Sequence, residues 1–267
     1  MPRFSYRDCF KGTAPYFARF RLPYPEPLYD LLRAKFGLDG THRLLDLGCG
    51  TGTIALTLRD DFEEVIGIDP EPELIGDAES IAAKVDAQNV RFLLAGSEDL
   101  AEMRRDLGTF RLVTIGNAFH WMDRAATLQI LHEIVEPCGG VAVLGGETLG
   151  IDPSGTEGAI QATITKWLGE VRRAGSGAYE PPKERHEAIV TRSAFQGMEQ
   201  HSVDVKHRRT TDEIVGALYS TSYCSPYVLG TKREAFERDL RDGLGRLSPG
   251  GSFRQNERFG AILAWKR

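Results

Sequence analysis

Apolar and polar positions alternate between strand-like and helix-like patterns along the chain from about residue 41 to residue 147. Short runs rich in leucine or β-branched residues predict buried strands, because strands covered on both faces of a parallel sheet read as continuous apolar stretches. Predicted strands begin at residue 44 and follow at 65–69, 90–94, 110–116 and 139–146, with helices predicted at 71–87 and 125–136. This alternation predicts an α/β fold with a mostly parallel sheet.

The second half of the chain has longer helical patterns and two further strand patterns. The helices are predicted at 154–174, 185–195, 211–220 and 231–244, and the strands at 202–207 and 261–265. Glycine and proline clusters at 175–177 and 181–182 indicate linkers. We therefore predict an N-terminal helical lid segment at 1–40, a core at 41–150, a helical cap insertion at 151–200, and C-terminal core strands with inserted helices at 201–267.

A glycine-rich loop follows the first predicted strand. Gly48, Gly50 and Gly52 alternate directly after that strand, and glycine allows a sharp turn and a close backbone approach to a ligand, so the loop amides are expected to face one. Dinucleotide-binding loops read G-x-G-x-x-G, whereas this loop reads D-x-G-x-G-x-G from Asp46. A carboxylate there repels a pyrophosphate and favours a cationic group such as an ammonium.

A second acid ends the next predicted strand. Asp69 lies seventeen residues after Gly52, and its carboxylate has enough lone pairs to accept hydrogen bonds from both hydroxyls of a ribose. NAD-binding enzymes use the same device. A cap of the turn before Pro70 is the structural alternative.

Residues 44–52 resemble the first motif of the class I S-adenosylmethionine-dependent methyltransferases, and Asp69 is similar to their ribose-binding acid. The resemblance extends over about 16–146 and the terminal strand. It implies a Rossmann-like, seven-stranded, mostly parallel sheet with helices on both faces and a helical substrate cap. It also implies S-adenosylmethionine as cofactor and S-adenosylhomocysteine as product. The cofactor-binding residues expected from it are Asp46, Gly48, Cys49, Gly50, Gly52, Asp69, Ser97, Glu98, Asn117 and Arg21.

The turn at 95–100 is expected to meet the adenine. In the resembled family this turn commonly carries an acid that binds the adenine amino group, but Gly96 occupies that position here. We therefore expect backbone groups of Ser97 and Glu98 to take over adenine recognition. An exposed strand-to-helix turn is the alternative.

An aromatic segment follows the fourth predicted strand. Phe119-His120-Trp121 looks like the Phe-His-Trp form of many small-molecule methyltransferases, where it lies beside the transferable methyl group. The resemblance implies that Phe119 and Trp121 form a wall of the acceptor site. His120 titrates near neutral pH and is a candidate base. A hydrogen-bonded spacer histidine and a core tryptophan are the structural alternatives.

The N-terminal segment concentrates aromatic residues and arginines. It is similar to the Tyr-x-x-x-Arg-Pro-x-Tyr-Pro segment of the same enzymes, with Leu22 in place of the usual proline. Arg21 or Arg19 is expected to pair with the methionine carboxylate, and Tyr16 and Tyr6 to face the acceptor, with Tyr16 a second candidate catalytic group. An N-terminal helix that packs through its aromatics is the alternative.

The segment 221–227 is dense in hydroxyl and aromatic groups. Tyr223 and Tyr227 are therefore expected to line the acceptor pocket. Packing of both tyrosines on the sheet is an equal alternative.

Charge and cysteine content narrow the function classes. The 267-residue chain has a net charge of −5 and a pI near 5.8, which disfavours nucleic-acid and membrane-surface partners. Its four cysteines form no C-x-x-C pair, so neither a zinc site nor a disulfide framework is predicted, and no metal is required. Without a secretory or membrane-spanning pattern, the chain is expected to be cytoplasmic, and a homo-oligomer is compatible with it.

These features predict methyl transfer from S-adenosylmethionine to a small-molecule acceptor, most directly the amine of a specialised metabolite, as in antibiotic biosynthesis. O-methylation of a hydroxyl or carboxyl group is the alternative. Two other classes stay open at this stage: a cofactor-binding protein without enzymatic activity, and an NAD-dependent oxidoreductase, which Asp46 opposes.

Overall fold

A computed structural model describes residues 8–148, 155–171, 173–175, 177–179 and 182–267. These residues fall into two compact units. The α/β unit lies within Pro23–Gly146, Pro181–Val203 and Phe259–Arg267, and the helical unit within Met1–Leu22, Glu147–Glu180 and Asp204–Arg258. Each unit is assembled from three stretches of chain, and the predicted boundaries after residues 40, 150 and 200 stay predictions.

The helices and strands follow the predicted alternation through the first half of the chain. The helices are α1 (Ala14–Phe20), α2 (Glu26–Phe36), α3 (Thr53–Thr57), α4 (Pro72–Lys84), α5 (Leu100–Leu107), α6 (Arg124–Ile134), α7 (Thr156–Leu168), α8 (His186–Thr191), α9 (Thr211–Tyr219), α10 (Pro226–Leu229) and α11 (Arg233–Leu247). The strands are β1 (Arg43–Leu47), β2 (Glu64–Asp69), β3 (Val90–Leu94), β4 (Phe110–Gly116), β5 (Val135–Thr148), β6 (Arg173–Ala174), β7 (Gly177–Ala178), β8 (Gly197–Thr210) and β9 (Ser252–Trp265). Short 3-10 turns lie at Arg59–Asp61, Phe119–Trp121 and Gly230–Lys232.

Seven strands form one sheet in the order β3-β2-β1-β4-β5-β9-β8. Parallel pairing joins β1 to both β2 and β4, β2 to β3, and β4 to β5. The predicted fold class, a Rossmann-like α/β fold with a seven-stranded, mostly parallel sheet, is confirmed. Because β1, β2 and β4 are parallel neighbours, their carboxyl ends meet at one edge of the sheet, and the predicted loops follow those ends.

Burial explains why β1, β2 and β4 read as apolar runs. Leu45, Ile66 and Val113 are fully buried in the core of the α/β unit. The helical unit has a core of its own, built around Phe236, Leu240 and further side chains of α7, α9 and α11.

Helix starts in both units are set by side-chain caps. Asp123 accepts a hydrogen bond from the Ala126 amide at the start of α6, and Thr210 forms a capping box with Glu213 at the start of α9. Caps of this kind satisfy backbone donors that otherwise lack a partner.

Several predicted boundaries are wrong. Strand β5 begins at Val135 and not at 139, because Cys138, with a φ of 62°, accommodates a register shift within the strand. Helix α7 ends at Leu168 rather than at 174, where Gly169 adopts a φ of 83°. Strands β8 and β9 are longer than predicted. β8 alternates partly buried and exposed residues, and the first half of β9 alternates buried with more exposed residues, so neither part has a continuous apolar run.

None of the helices in the described parts of the chain combines the length and the apolar character needed to span a membrane.

Candidate cofactor and active site

The glycine loop after β1 has the sharply turning, left-handed backbone that its glycines allow. Gly48, Gly50 and Gly52 have φ values of 74°, 55° and 78°, in the left-handed region. A Cβ on Gly48 would overlap the Cβ of Ala118, and one on Gly52 would lie 2.7 Å from Cζ of Phe92. Glycine is therefore required in this loop for conformation and for space.

The loop amides bond to the protein itself. Those of Gly48 and Cys49 donate to the Ile68 carbonyl, at N to O distances of 2.7 and 3.0 Å. That of Gly50 donates to Oδ2 of Asp69 at 2.9 Å. The expectation that these amides face a ligand is wrong for all three, because the loop is hydrogen-bonded to the end of β2. A loop whose donors are already used suits a cationic ligand better than a pyrophosphate.

Asp46 lies near the end of β1, directly before the glycine loop. Its side chain is 1% exposed; Oδ2 accepts from the Ala55 amide of α3 at 3.2 Å, and Oδ1 accepts from the Thr114 hydroxyl at 2.7 Å. Burial is the main cause that raises the pKa of Asp46 to about 7; the hydrogen bonds from Thr114 and Ala55 oppose this rise, and the nearby Asp69 adds to it. Asp46 therefore has hydrogen-bond donors on both oxygens and almost no exposed surface, and its cofactor role stays a prediction.

The buried charge of Asp46 makes stability dependent on pH. Its folded pKa lies above the reference value of 3.8, so its contribution to stability is greatest below pH 4 and is lost as the pH rises towards 7. In Asp46→Asn the carbonyl still accepts from Ala55 and the amide can donate to the Thr114 oxygen. We expect this variant to be more stable than wild type by about 1–4 kcal/mol at pH 8, with a smaller difference at pH 5.

Urea denaturation of both proteins at pH 5 and pH 8 measures this difference. Asp106→Asn, an exposed position on α5, serves as the control and should show no pH-dependent gain. A stability difference for Asp46→Asn that is equal at both pH values would contradict a buried charge at this site.

Asp69 lies at the end of β2 and is 7% exposed. Its Oδ2 holds the Gly50 amide, and its Oδ1 accepts from the Glu71 amide at 3.0 Å. Burial raises the pKa of the Asp69 carboxyl. Each oxygen keeps a further lone pair that suits a ribose hydroxyl, and the ribose role stays a prediction.

A third buried acid in this region was not found from the sequence. Glu71 is 5% exposed and caps the start of α4, where its Oε1 accepts from the Glu73 amide at 3.4 Å. The signal was present as an acid before Pro72, since proline is common at the first position of a helix.

The predicted adenine turn has one internal anchor. The Gly96 amide donates to Oδ2 of Asp99 at 2.8 Å. Ser97 is partly buried and Glu98 is exposed, and their adenine role stays a prediction.

Asn117 joins three segments at the carboxyl edge of the sheet. Its amide donates to the Leu144 carbonyl at 2.8 Å, its Nδ2 donates to the Tyr24 hydroxyl at 2.9 Å, and its Oδ1 accepts from the Gly146 amide at 3.2 Å. The Tyr24 ring packs edge-on against Phe259 at 5.8 Å. Sequence reasoning did not single out Tyr24 as a site residue, because this contact joins positions 93 residues apart.

The prediction that Phe119 forms a wall of the acceptor site is corrected by its burial. Its side chain is 1% exposed and belongs to the core of the α/β unit. It therefore has no surface to offer as a wall of the acceptor site. The reason is the 3-10 turn Phe119–Trp121, which directs this ring inwards, while His120 and Trp121 remain partly exposed with ring centroids 4.7 Å apart. Their proposed roles as base and wall stay predictions.

Tyr16 belongs to an aromatic and cationic cluster in the helical unit. Its hydroxyl accepts from Nη2 of Arg233 at 2.6 Å, and its ring packs edge-on against Tyr219 at 5.2 Å. The Arg233 guanidinium lies 4.8 Å from the Tyr219 ring centroid. The catalytic role of Tyr16 stays a prediction.

Arg21 makes its described contacts within the helical unit. Its Nε and Nη2 donate to the hydroxyl and carbonyl oxygens of Ser220 at 3.2 and 2.9 Å, and its guanidinium lies 4.3 Å from the Phe17 ring. The guanidinium of the alternative residue, Arg19, lies 4.9 Å from the Phe20 ring. Neither contact tests the proposed pairing with the methionine carboxylate.

The remaining predicted acceptor residues also belong to the helical unit. Tyr223 is partly buried against the core of that unit. Tyr227 is 46% exposed, with Nζ of Lys11 at 5.1 Å from its ring. Tyr6 lies outside the described residues. Within the ranges that the structure covers, no group of three or more His, Cys, Asp or Glu side chains could hold a metal ion.

Comparisons with known proteins agree with this geometry. The family described as "Methyltransferase domain" matches residues 44–139. The chain is similar to the probable S-adenosylmethionine-dependent methyltransferase CRG1 of Saccharomyces cerevisiae, at 31% identity over 141 residues that cover 52% of this chain and 47% of that protein. The match thus spans about half the length of the yeast relative.

Two further sequence relatives differ in extent. An uncharacterized methyltransferase of Mycobacterium tuberculosis is 24% identical over 225 residues, 84% of this chain and 81% of the relative. The tRNA (uracil-5-)-methyltransferase homolog A of Mus musculus is 37% identical over 91 residues, 34% of this chain but 15% of that protein.

A solved structure from Anaeromyxobacter dehalogenans, provisionally called a Type II methyltransferase, superposes with a TM-score of 0.57 at 20% identity, over 92% of this chain and 98% of that one. At this identity the likeness supports the fold alone. The family match adds methyl transfer as the type of reaction. It covers the glycine loop, the buried acids and the turn after β4. The family match and the sequence relatives support a class I S-adenosylmethionine-dependent methyltransferase with S-adenosylmethionine as cofactor.

Proposed function

We propose that the protein methylates a small-molecule acceptor, most directly the amine nitrogen of a specialised metabolite such as an antibiotic precursor. One observation carries this proposal: the buried acids Asp46, Asp69 and Glu71 lie beside the glycine loop, at 1%, 7% and 5% exposure. In their ionised forms these acids favour a sulfonium cofactor and an amine, and they oppose a phosphate-rich acceptor.

The residues of the α/β unit suit a reaction in which the acceptor is aligned and water is excluded. The bound sulfonium supplies a methyl group on an activated leaving group. We assign Asp69 and the loop around Gly48 to holding the cofactor, and His120 and Trp121 to orienting the acceptor beside it. A neutral amine would attack the methyl carbon with its lone pair, and the carbon–sulfur bond would break as S-adenosylhomocysteine leaves. The methylated ammonium would then lose a proton to water or to His120.

A nucleic-acid acceptor is less well supported. The net charge of −5 provides no basic footprint for a phosphate backbone. The relative that is named as a tRNA methyltransferase matches 34% of this chain and 15% of its own length. That match therefore carries no argument about the acceptor.

O-methylation of a hydroxyl or carboxyl is the second candidate, and His120 is the observation that favours it. Its partly exposed imidazole sits in the turn after β4 and could remove a hydroxyl proton. We expect His120→Ala to slow methylation of a hydroxyl acceptor by roughly a hundredfold or more. Methylation of an amine should change by only a few fold, since water can take its proton.

Initial rates with matched amine and hydroxyl acceptors check the His120 prediction, with the partly exposed His201→Ala variant as control. Equal losses for both acceptors would make His120 a positioning residue. Near-normal rates for both would leave it as a wall of the site.

The proposed function is tested by incubating the protein with methyl-labelled S-adenosylmethionine and four acceptor classes: primary amines, phenols or alcohols, carboxylic acids, and unmodified tRNA. Label transfer to an amine, with a mass gain of one methyl group, supports the proposal. Transfer to tRNA alone would overturn it, and transfer to hydroxyl or carboxyl acceptors would favour the second candidate. The cytoplasmic location and a homo-oligomeric state also stay predictions.

A further inference from the structure

We infer that His186 and Arg124 form a positioning pair that holds the Phe119–Trp121 turn, and through it the glycine loop at Gly48, in the cofactor-binding conformation. Neither residue is part of the predicted site. The inference assumes that the glycine loop binds S-adenosylmethionine. It does not depend on which class of acceptor is methylated.

The pair links the starts of two helices. Arg124 is the first residue of α6, three positions after the end of the aromatic turn, and His186 is the first residue of α8. Nη1 of Arg124 donates to the Glu184 carbonyl at 2.8 Å and lies 3.2 Å from Nδ1 of His186. The segment before α8 is thereby attached to the start of α6.

The His186 ring also contacts the aromatic turn itself. Its centroid lies 5.1 Å from that of Phe119, with the two planes tilted by 52°. Because Phe119 is 1% exposed, it cannot shift without disturbing the surrounding core. His186 therefore restrains the Phe119 end of the turn, and Arg124 holds His186 in place.

The turn transmits this restraint to the glycine loop. Ala118 and Met122 flank the turn, and both side chains lie against the position where Gly48 would carry a Cβ, with Met122 Cε at 3.5 Å. A displacement of the turn changes the packing on Gly48, whose backbone belongs to the cofactor loop. The path from His186 to the loop consists of direct contacts throughout.

The Arg124 contact requires a neutral His186. A guanidinium can only donate, so Nδ1 must accept and the imidazole proton must reside on Nε2. Burial, and next Arg124, lower the pKa of His186, while Glu187 on the same helix acts in the opposite direction. Because the folded pKa lies below the unfolded value, the contribution of His186 to stability is complete above about pH 6.5 and is lost as the pH falls through the folded pKa.

Protonation at low pH places a second positive charge against Arg124 and removes the acceptor. The aromatic turn then loses one of its restraints, and the affinity for the cofactor falls. Asp46 and Asp69 also titrate beside the loop, so part of any acid-side loss of affinity belongs to them. The contribution of His186 is therefore isolated by comparing variants and not from the wild-type profile alone.

Calorimetric titration with S-adenosylhomocysteine at pH 7.5 and pH 5.5 tests the pair, because it needs neither an acceptor nor turnover. In His186→Gln the amide oxygen can still accept from Arg124 and the side chain does not titrate. We expect its affinity at pH 7.5 to be within about twofold of wild type, and its loss of affinity on acidification to pH 5.5 to be smaller than the wild-type loss. Arg124→Met should lower the affinity about tenfold at pH 7.5.

His132→Gln is the matched control. His132 lies in α6 against Phe195, at a centroid distance of 5.2 Å, and burial also lowers its pKa. None of the described contacts joins His132 to the aromatic turn. We therefore expect His132→Gln to keep the wild-type ratio between the affinities at pH 7.5 and pH 5.5. Circular dichroism at both pH values restricts the comparison to folded protein.

The inference would be overturned if His186→Gln had the same ratio of affinities at pH 7.5 and pH 5.5 as wild type. It would also be overturned if Arg124→Met had wild-type affinity at pH 7.5. A failed acceptor screen would contradict the proposed function and leave these binding results unaffected.

Discussion

A Gly48→Ala variant is expected to bind S-adenosylhomocysteine about a hundredfold or more weakly than wild type. Gly48 has a φ of 74°, and a side chain in this left-handed region costs about 1–2 kcal/mol. The added Cβ would also overlap the Cβ of Ala118, and overpacking of a filled site costs about 1–3 kcal/mol. The loop can avoid both costs only by leaving the cofactor-binding conformation. Because about 1.4 kcal/mol corresponds to a tenfold change in affinity, the two costs together account for the expected loss of binding.

Gly76→Ala provides the control for Gly48→Ala. Gly76 lies within α4, and no atom comes within 4 Å of its missing Cβ. This substitution should leave binding unchanged and raise stability by about 0.5–1 kcal/mol. Calorimetry and thermal unfolding measure both effects. Wild-type affinity in Gly48→Ala would show that the loop does not set the cofactor-binding backbone.

An Asp69→Ala variant is expected to show the second large loss of cofactor affinity, also about a hundredfold or more. Asp69 holds the amides of Gly50 and Glu71, and a buried amide left without an acceptor costs about 1–3 kcal/mol. The proposed charge-assisted hydrogen bonds to the ribose would add about 1.5–3 kcal/mol. The variant therefore loses both the anchor of the loop and a contact to the ligand.

Two ligands separate these effects in Asp69→Ala. Adenosine, which retains the ribose, and methionine, which lacks it, compete with labelled S-adenosylhomocysteine. A ribose contact predicts a larger loss for adenosine than for methionine, whereas a disordered loop weakens both. Glu79→Ala, an exposed acid on α4, is the control. Unchanged affinity for all ligands would remove Asp69 from the cofactor site.

The glycine loop and the acid-ended strands could be recognised from the sequence because their signals are local. Gly48, Gly50 and Gly52 alternate within five residues, and their left-handed backbone agrees with the conformational freedom that the pattern predicts. The parallel order of β1, β2 and β4 follows from strands separated by helical segments. Parallel strands then bring Asp46 and Asp69 to the same edge.

The partners of these residues could not be predicted in the same way. The pattern placed Asp46 correctly, but its bond to Thr114 spans 68 residues. The link from Asn117 to Tyr24 spans 93 residues, and the bond from Arg21 to Ser220 spans 199. Such pairs depend on which strands and helices become neighbours, and a single sequence carries no direct signal for that choice.

The direction of the Phe119 side chain could not be predicted from the sequence either. Its neighbours in sequence predict an aromatic turn after β4, and the turn is present. Whether a ring in a single 3-10 turn faces the core or the solvent depends on what packs against it. Here His186, which lies 67 positions later in the chain, covers that ring and completes the core.

The sequence by itself determined the fold class, the glycine loop, the acids at the strand ends and the family resemblance. Each of these depends on residue types and spacing within one or two neighbouring elements, where backbone sterics and apolar periodicity act. The tertiary structure alone decided that the loop amides bond inwards, that Asp46 accepts from an amide of α3, that Phe119 is buried and that His186 contacts the aromatic turn. The physical reason is that burial and hydrogen-bond satisfaction are set by contacts between segments distant in the chain, and those contacts exist only once the sheet has formed.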